Sequence, residues 1–335
     1  MKLFISLRNG MKLKNGSIKD ISILQSFEGG YSPLKFISIG HANIDITLFV
    51  PKLPPPDGDV KVLTSMVGTG GAASNFAICV TKLGEEAGLL AVVGDDLLGK
   101  FFIDKLEELG VDVSNIEIAK GASTGMVVVL NEIGKQRRMV SISGANAKMD
   151  SKTIEKWSKV ISEADFVHIA SLEIENALAV AKRRRDLSWD PGTKVVRLGL
   201  KKLDPMFGSV RRILLNKEEA KILAGKEEIK EAMRFISDLG PTEVIVKLGE
   251  RGSIALVEGT FYEVPALSPL VVDTTGAGDV FDATYLVARA RNYGVKDSLK
   301  LANAASALKI SRPGTTTGIP TWSEVLVMAS AFYGT

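Results

Sequence analysis

Short apolar runs of strand length, alternating with helical stretches, narrow the fold of this chain more than any other feature. Runs near 36–39, 88–93, 166–170, 194–198, 212–215, 244–248 and 254–257 are rich in Val, Ile and Leu. Helical spacing of apolar residues recurs between several of them, near 74–83, 97–109, 151–163, 175–186, 217–224 and 227–239. Near-continuous apolar strands separated by helices predict an α/β fold whose mostly parallel central sheet is covered on both faces. Segments near 46–66 and 124–142 read differently. Ile46, Leu48 and Val50 alternate with polar neighbours, as a half-solvated strand does. These segments predict a separate small sheet, with hairpin chemistry at Asn131-Glu132-Ile133-Gly134-Lys135-Gln136. The first strand reads as ended by a turn into Asn43-Ile44-Asp45, and Gly68-Thr69-Gly70-Gly71 reads as a turn into a helix.

The bulk numbers exclude several classes. The chain has 335 residues, enough for one large domain or two small ones, with 45% hydrophobic and 24% charged residues. A net charge of +3 argues for neither nucleic acid nor an anionic membrane surface as partner. No apolar stretch approaches the roughly 18 residues of a membrane span, and the expected location is cytoplasmic. The single cysteine, Cys79, lies in an apolar helical pattern and reads as a buried thiol; with only two histidines, no zinc-type cluster is expected. His168, inside an apolar run, reads as a satisfied core histidine. Residues 1–34 mix Lys, Asn, Gly and Ser with weak patterning and read as an N-terminal extension, with the domain proper over 35–335.

The chemistry concentrates late in the chain. Leu270-Val271-Val272 reads as the end of an extended segment, followed by Asp273-Thr274-Thr275-Gly276-Ala277-Gly278-Asp279. Val280, Ala283, Leu286, Val287 and Ala290 then recur at helix spacing. Gly276, Ala277 and Gly278 therefore lie where a helix opens, with free N–H groups and the positive end of the dipole: an anion site. Asp279 is both a first-turn acid that complements the dipole and a carboxylate placed to take a proton from an attacking hydroxyl.

Gly70-Gly71-Ala72-Ala73-Ser74-Asn75 and the Asp273-to-Asp279 stretch together resemble the ribokinase-like (PfkB-type) carbohydrate kinases, over about 35–320. The resemblance implies a three-layer α/β sandwich with a small β lid from strands near 46–66 and 124–142. It implies that Asn43, Asp45, Gly70, Gly71, Asn75 and Glu173 hold the acceptor. It gives Asp279 the role of base and Gly276, Ala277 and Gly278 that of anion hole. Asn216 and Glu219 match a pair that organises Mg²⁺, often through water, and the phosphates of ATP. Lys247, Gly249, Gly252 and Asn303 match nucleotide-side positions. Asp273, Thr275 and Gly314 match a monovalent-cation (K⁺) site found in some members. There are departures: Lys247 stands where a small hydroxyl residue is frequent, and Ala283-Thr284 where a smaller pair is usual. Ala72 stands where ribokinases often carry lysine, which weakens the case for D-ribose.

The expected function is an ATP- and Mg²⁺-dependent phosphotransfer to a sugar hydroxyl, ribokinase- or fructokinase-like. A nucleoside kinase and a non-catalytic sugar- or nucleotide-sensing homologue are the alternatives. Lid strands of this family often pair between subunits, so a homodimer through the lid is expected by analogy.

Overall fold

The computed structural model describes residues 32–132 and 138–334. Residues 1–31 and the tip of the expected hairpin, 133–137, lie outside the described residues. The body Leu34–Thr335 is a single unit. At the start of this unit the Leu34 N–H donates to Glu85 Oε2 at 2.8 Å.

Fourteen strands are described: β1 (Lys35–Gly40), β2 (Asn43–Val50), β3 (Thr64–Gly70), β4 (Glu86–Leu90), β5 (Val92–Gly94), β6 (Glu117–Ala119), β7 (Gly125–Glu132), β8 (Arg138–Ile142), β9 (Phe166–Ala170), β10 (Leu187–Asp190), β11 (Val210–Asn216), β12 (Glu243–Lys247), β13 (Ser253–Val257) and β14 (Thr260–Val264). Eight of them form the central sheet, in the order β14-β13-β12-β11-β10-β9-β1-β4. From β4 to β12 every neighbouring pair is parallel; β13 and β14 close one edge antiparallel. Alternation along the strands feeds two cores. Phe36, Leu214 and Ile245 face one, with the helices Ala72–Lys82, Ala277–Ala290 and Val295–Ile310. Ile37, Ile39, Ile213, Leu215, Val244 and Val246 face the other, with Trp157, Met206 and Ile236. The expected three-layer sandwich is therefore present, and the period-2 burial of β1, β11 and β12 is its cause.

The second sheet has the order β3-β2-β7-β8. Only His41 and Ala42 separate β1 from β2, so β2 carries the chain directly from the core sheet into the small sheet. The turn expected before Asn43 is the pair His41 and Ala42, and Asn43, Ile44 and Asp45 are the first residues of β2. Asn43 is paired with Gly70 on one side and Gly125 on the other. Likewise Gly68, Thr69 and Gly70 belong to β3, and only Gly71 turns the chain into its helix.

Three other expectations fail locally. The run 194–198 is not a strand: Gly192–Val196 is a short helix, with Val195 and Val196 buried. The true strand is β10, whose Ser188 and Asp190 hid it from a search for apolar runs. Those polar groups are buried but partnered, Ser188 Oγ lying 2.6 Å from His168 Nδ1. Leu270, Val271 and Val272 form no strand either. All three are exposed, and the Val272 N–H is held by the carbonyl of Ile310. The stretch 88–93 is divided between β4 in the large sheet and β5, which pairs with β6 in a two-stranded sheet.

Candidate active site

The central sheet reverses its direction of growth at β1: the chain first adds β4 on one side and later β9 on the other. Ligand sites of such sheets lie beyond the carboxyl ends of the strands at that reversal. Here those ends are Gly40 and its register partner Ala170. Just beyond them His41 Nε2 meets Glu173 Oε2 at 2.8 Å. Burial works to raise the Glu173 pKa, but the His41 contact prevails and holds the carboxyl below its ordinary value.

Two more carboxylates converge there. Asp45 stands on β2, facing the glycines of β3. A Cβ at Gly70 would lie 2.1 Å from the Asp45 carboxyl carbon, so only glycine leaves room for that side chain. Asp279 comes from the opposite end of the sequence, in the first turn of Ala277–Ala290. Asn75 joins it to the helix Ala72–Lys82, its Nδ2 donating to Asp279 Oδ2 at 2.7 Å. Burial pushes the Asp279 carboxyl from 3.8 up to about 6, against the hydrogen bond from Asn75. Asp45 is raised to about 6 by burial and then by the charge of Asp279. The Asn75 Oδ1, buried, has no hydrogen-bond partner among the described residues. An orphaned acceptor beside two carboxylates is a set of acceptors in want of donors, which vicinal hydroxyls supply. Asn43 is also placed here, its Oδ1 accepting from Asn146 Nδ2 at 2.8 Å. Asn146, in the 3₁₀ turn Gly144–Lys148, also clamps both backbone groups of Ala42. The sequence reading missed it because a lone Asn after a glycine looks like any turn.

At the turn expected to bind an anion, the helix Ala277–Ala290 opens. Gly276 caps the helix with φ of 76°, a left-handed conformation that favours glycine. The Ala277 N–H is committed in part to the Thr274 carbonyl at 3.3 Å. The first-turn N–H groups of Gly278 and Asp279 have no acceptor within the helix. A cavity of about 510 Å³ lies on one side, lined by Thr47, Met66, Asp273, Thr275 and Gly314 among others. A second, of about 540 Å³, is lined by Asn216, Lys247 and Gly249 with Thr193 and Arg197. Arg197 was not singled out in the sequence; nothing local distinguishes it from a solvated arginine.

Around the second cavity the expected residues behave unequally. Asn216 and Glu219 form a reciprocal capping box on Lys217–Ala224. Glu219 Oε2 accepts from the Asn216 N–H and Oε1 from Thr193 Oγ1, both at 2.9 Å. Burial and then the charge of Asp190 raise the Glu219 pKa. Lys247 is not solvated: its Nζ lies 2.9 Å from Asp190 Oδ2 and 2.8 Å from Asp282 Oδ2. Burial acts to lower the Lys247 pKa, but the two carboxylates outweigh it and leave the ammonium charged. The same Nζ comes within 3.6 Å of a Cβ built on Gly278, which puts a fixed positive charge behind the anion turn. Gly249 and Gly252 flank the tight turn between β12 and β13. Asn303 lines neither cavity; its Nδ2 donates to the carbonyls of Val264 and Pro265.

The model of the pfkB family of carbohydrate kinases matches residues 34–322. The chain belongs to that family. As a pfkB-family enzyme it is a phosphotransferase. It is 29% identical over 286 residues to an ATP-dependent ribose-1-phosphate kinase of Halopiger xanaduensis, with 84% of this chain and 93% of the relative covered. To a 2-dehydro-3-deoxygluconokinase of Thermoproteus tenax it is 30% identical, over 76% of this chain and 83% of the relative. Among solved structures, Arabidopsis thaliana ribokinase complexed with ribose and ATP superposes with a TM-score of 0.80 at 25% identity, covering 89% of this chain and 99% of the other. The ribokinase-like architecture inferred from the sequence is thus the observed one.

Proposed function

We propose that this pfkB-family kinase transfers the γ-phosphoryl group of ATP to a hydroxyl of a sugar. The cluster of Asp45, Asn75 and Asp279 carries the reading. Two carboxylates that burial raises to about 6 and one orphaned amide oxygen suit a polyol whose hydroxyls donate to all of them.

Asp45, with Asn43, Asn75 and the close-packed Gly70 and Gly71, orients the acceptor, and Glu173 adds a further acceptor for its hydroxyls. Asp279 then takes the proton of the attacking hydroxyl. The hydroxyl oxygen bonds to the γ-phosphorus while the bond from that phosphorus to the β–γ bridging oxygen breaks, leaving ADP. The N–H groups of Gly278 and Asp279 meet the charge that develops on the phosphoryl oxygens, and Lys247 reinforces it from behind. Each preorganised donor of this kind is worth roughly 3–4 kcal/mol of barrier.

A magnesium ion fits the nucleotide side through its waters. Glu219 is buried and Asn216 half-buried, and their carboxylate and amide oxygens retain further lone pairs beyond the capping box. Bound there with ATP, Mg²⁺ neutralises phosphate charge. The lid excludes water, which keeps the phosphoryl group from hydrolysis. Its edge strand β8 is wholly exposed and presents Met139, Val140 and Ile142, a surface suited to pairing with a second copy.

The test is turnover with ATP and Mg²⁺ against pentoses, hexoses, sugar acids, sugar phosphates and nucleosides. A free sugar is expected to support the fastest turnover. Preference for a nucleoside would overturn the choice of acceptor, and no nucleotide consumption with any polyol would point to a sensing homologue.

A further inference from the structure

The cation site implied by the family resemblance does not fit the residues present. The Asp273 carboxylate is already used to join two segments: Oδ1 accepts from the Thr275 N–H at 2.9 Å and Oδ2 from the Gly314 N–H at 3.2 Å. Lys309, on the helix Val295–Ile310, enters the same place from below. It is completely buried, at 0% exposure. Its Nζ donates to the Asp273 carbonyl at 3.2 Å and lies 3.8 Å from Asp273 Oδ2. Its stem passes Gly318, with Cδ 3.2 Å from where a Cβ would stand. A second ammonium takes the neighbouring carbonyls: Lys82 Nζ donates to those of Thr316 and Ile319, at 3.1 and 3.3 Å. A monovalent ion needs several such oxygens and would have to sit against a buried like charge.

We propose that Lys309 is a tethered internal cation that holds the 273–275 segment, and with it the Gly276 turn, so that the enzyme needs no monovalent ion. The arrangement suits the role. Ser306, one turn before Lys309 on the same helix face, donates to the Ala277 carbonyl at 3.0 Å. One helix thus grips both sides of the anion turn, with a charge on one side and a hydroxyl on the other. Lys309 acts through Asp273 and is a positioning residue. Its effect on turnover rests on the kinase reading; its effect on ion binding does not.

The experiment measures thermal unfolding and turnover at constant ionic strength in potassium, sodium, rubidium, ammonium and choline chlorides. For the wild type, the unfolding midpoint is expected to be the same in potassium as in choline, and turnover to vary less than twofold. Lys309→Met, which keeps the unbranched stem and removes the charge, is expected to lose at least tenfold in kcat with little change in acceptor KM. Potassium or ammonium should restore several-fold of that loss, and the variant should gain a potassium-specific thermal shift. A merely structural lysine would give no such rescue. A saturable potassium-specific stabilisation of the wild type, or a tenfold activation of it, would overturn the proposal. So would a folded Lys309→Met protein that no cation affects. If Lys309→Met does not fold, the wild-type ion series decides alone. Absence of turnover in every salt with every acceptor would count against the kinase reading, while the thermal series would still judge the lysine.

Discussion

Replacing Asp279 by asparagine should make the protein more stable and nearly inactive. Burial raises the carboxyl from 3.8 to about 6 in the folded chain. The folded state therefore binds more protons than the unfolded one between those values, and ionisation opposes folding. The contribution favours folding fully below about pH 4 and is lost as the pH rises through about 6. The gap from 3.8 to 6 converts, at 1.36 kcal/mol per pH unit, to about 3 kcal/mol. Asparagine keeps an oxygen to accept the Asn75 hydrogen bond but never ionises. At pH 8 the Asp279→Asn protein should thus exceed the wild type by up to ~3 kcal/mol, with the difference closing towards pH 4. With an unfolding entropy of about 2.1 cal/mol/K per residue, a fold of this length shifts its midpoint by roughly 5 °C. Turnover should fall by about 10²–10⁴-fold, the usual contribution of a general base. Unfolding scans of both proteins between pH 4 and 8, with turnover measured alongside, check both halves. A variant no more stable than the wild type at pH 8, or a gap that ignores pH, would refute the account of a desolvated carboxylate. Near-normal turnover would remove Asp279 from its role as base.

Other outcomes follow from the same geometry. In the wild type, kcat/KM should rise with pH to about 6 and then level, because the base acts only when ionised; a rate that falls over that range would contradict this. Asp45→Ala should raise the acceptor KM by about 10–100-fold, the worth of hydrogen bonds to a charged group, and leave the nucleotide KM unchanged. Gly70→Ala should reproduce that effect, because its Cβ would displace the Asp45 carboxylate; the double variant should be no worse than either, and simple additivity would show the two act separately. Lys247→Met leaves Asp190 and Asp282 buried without their cation and should cost about 3–5 kcal/mol in urea unfolding at pH 7, less at low pH where both carboxyls are protonated.

Much of this was legible in the sequence, for identifiable reasons. Buried strands such as β11 and β12 are continuous apolar runs, and the helix opening at Gly276 announces itself through a glycine turn before an apolar periodicity. β10 was hidden because it spends buried positions on Ser188 and Asp190, whose partners, His168 and Lys247, are 20 and 57 residues away. Val195 and Val196 pointed to a strand because branched residues favour one, yet tertiary packing placed them on a helix. At the site, Asp45 and Asp279 were readable one by one, but their mutual influence was not. Lys309 looked like any helix lysine, because nothing in the chain reveals that residues 273 and 309 meet. Asn216 and Glu219 show the reverse case, since the family resemblance paired them and their capping box is a local pattern three residues apart.

The direct passage of β1 into β2 has a mechanical meaning. Asp45 rides on a central strand of the lid, hydrogen-bonded to β3 on one side and β7 on the other, whereas Asp279 is fixed to a helix of the core. Any swing of the small sheet is therefore also a change in the separation of the two carboxylates. In the proposed function, the cover and the grip on the acceptor are therefore one part. Opening it would weaken the hold on the phosphorylated product at the same moment that it admits water, so release needs no trigger of its own.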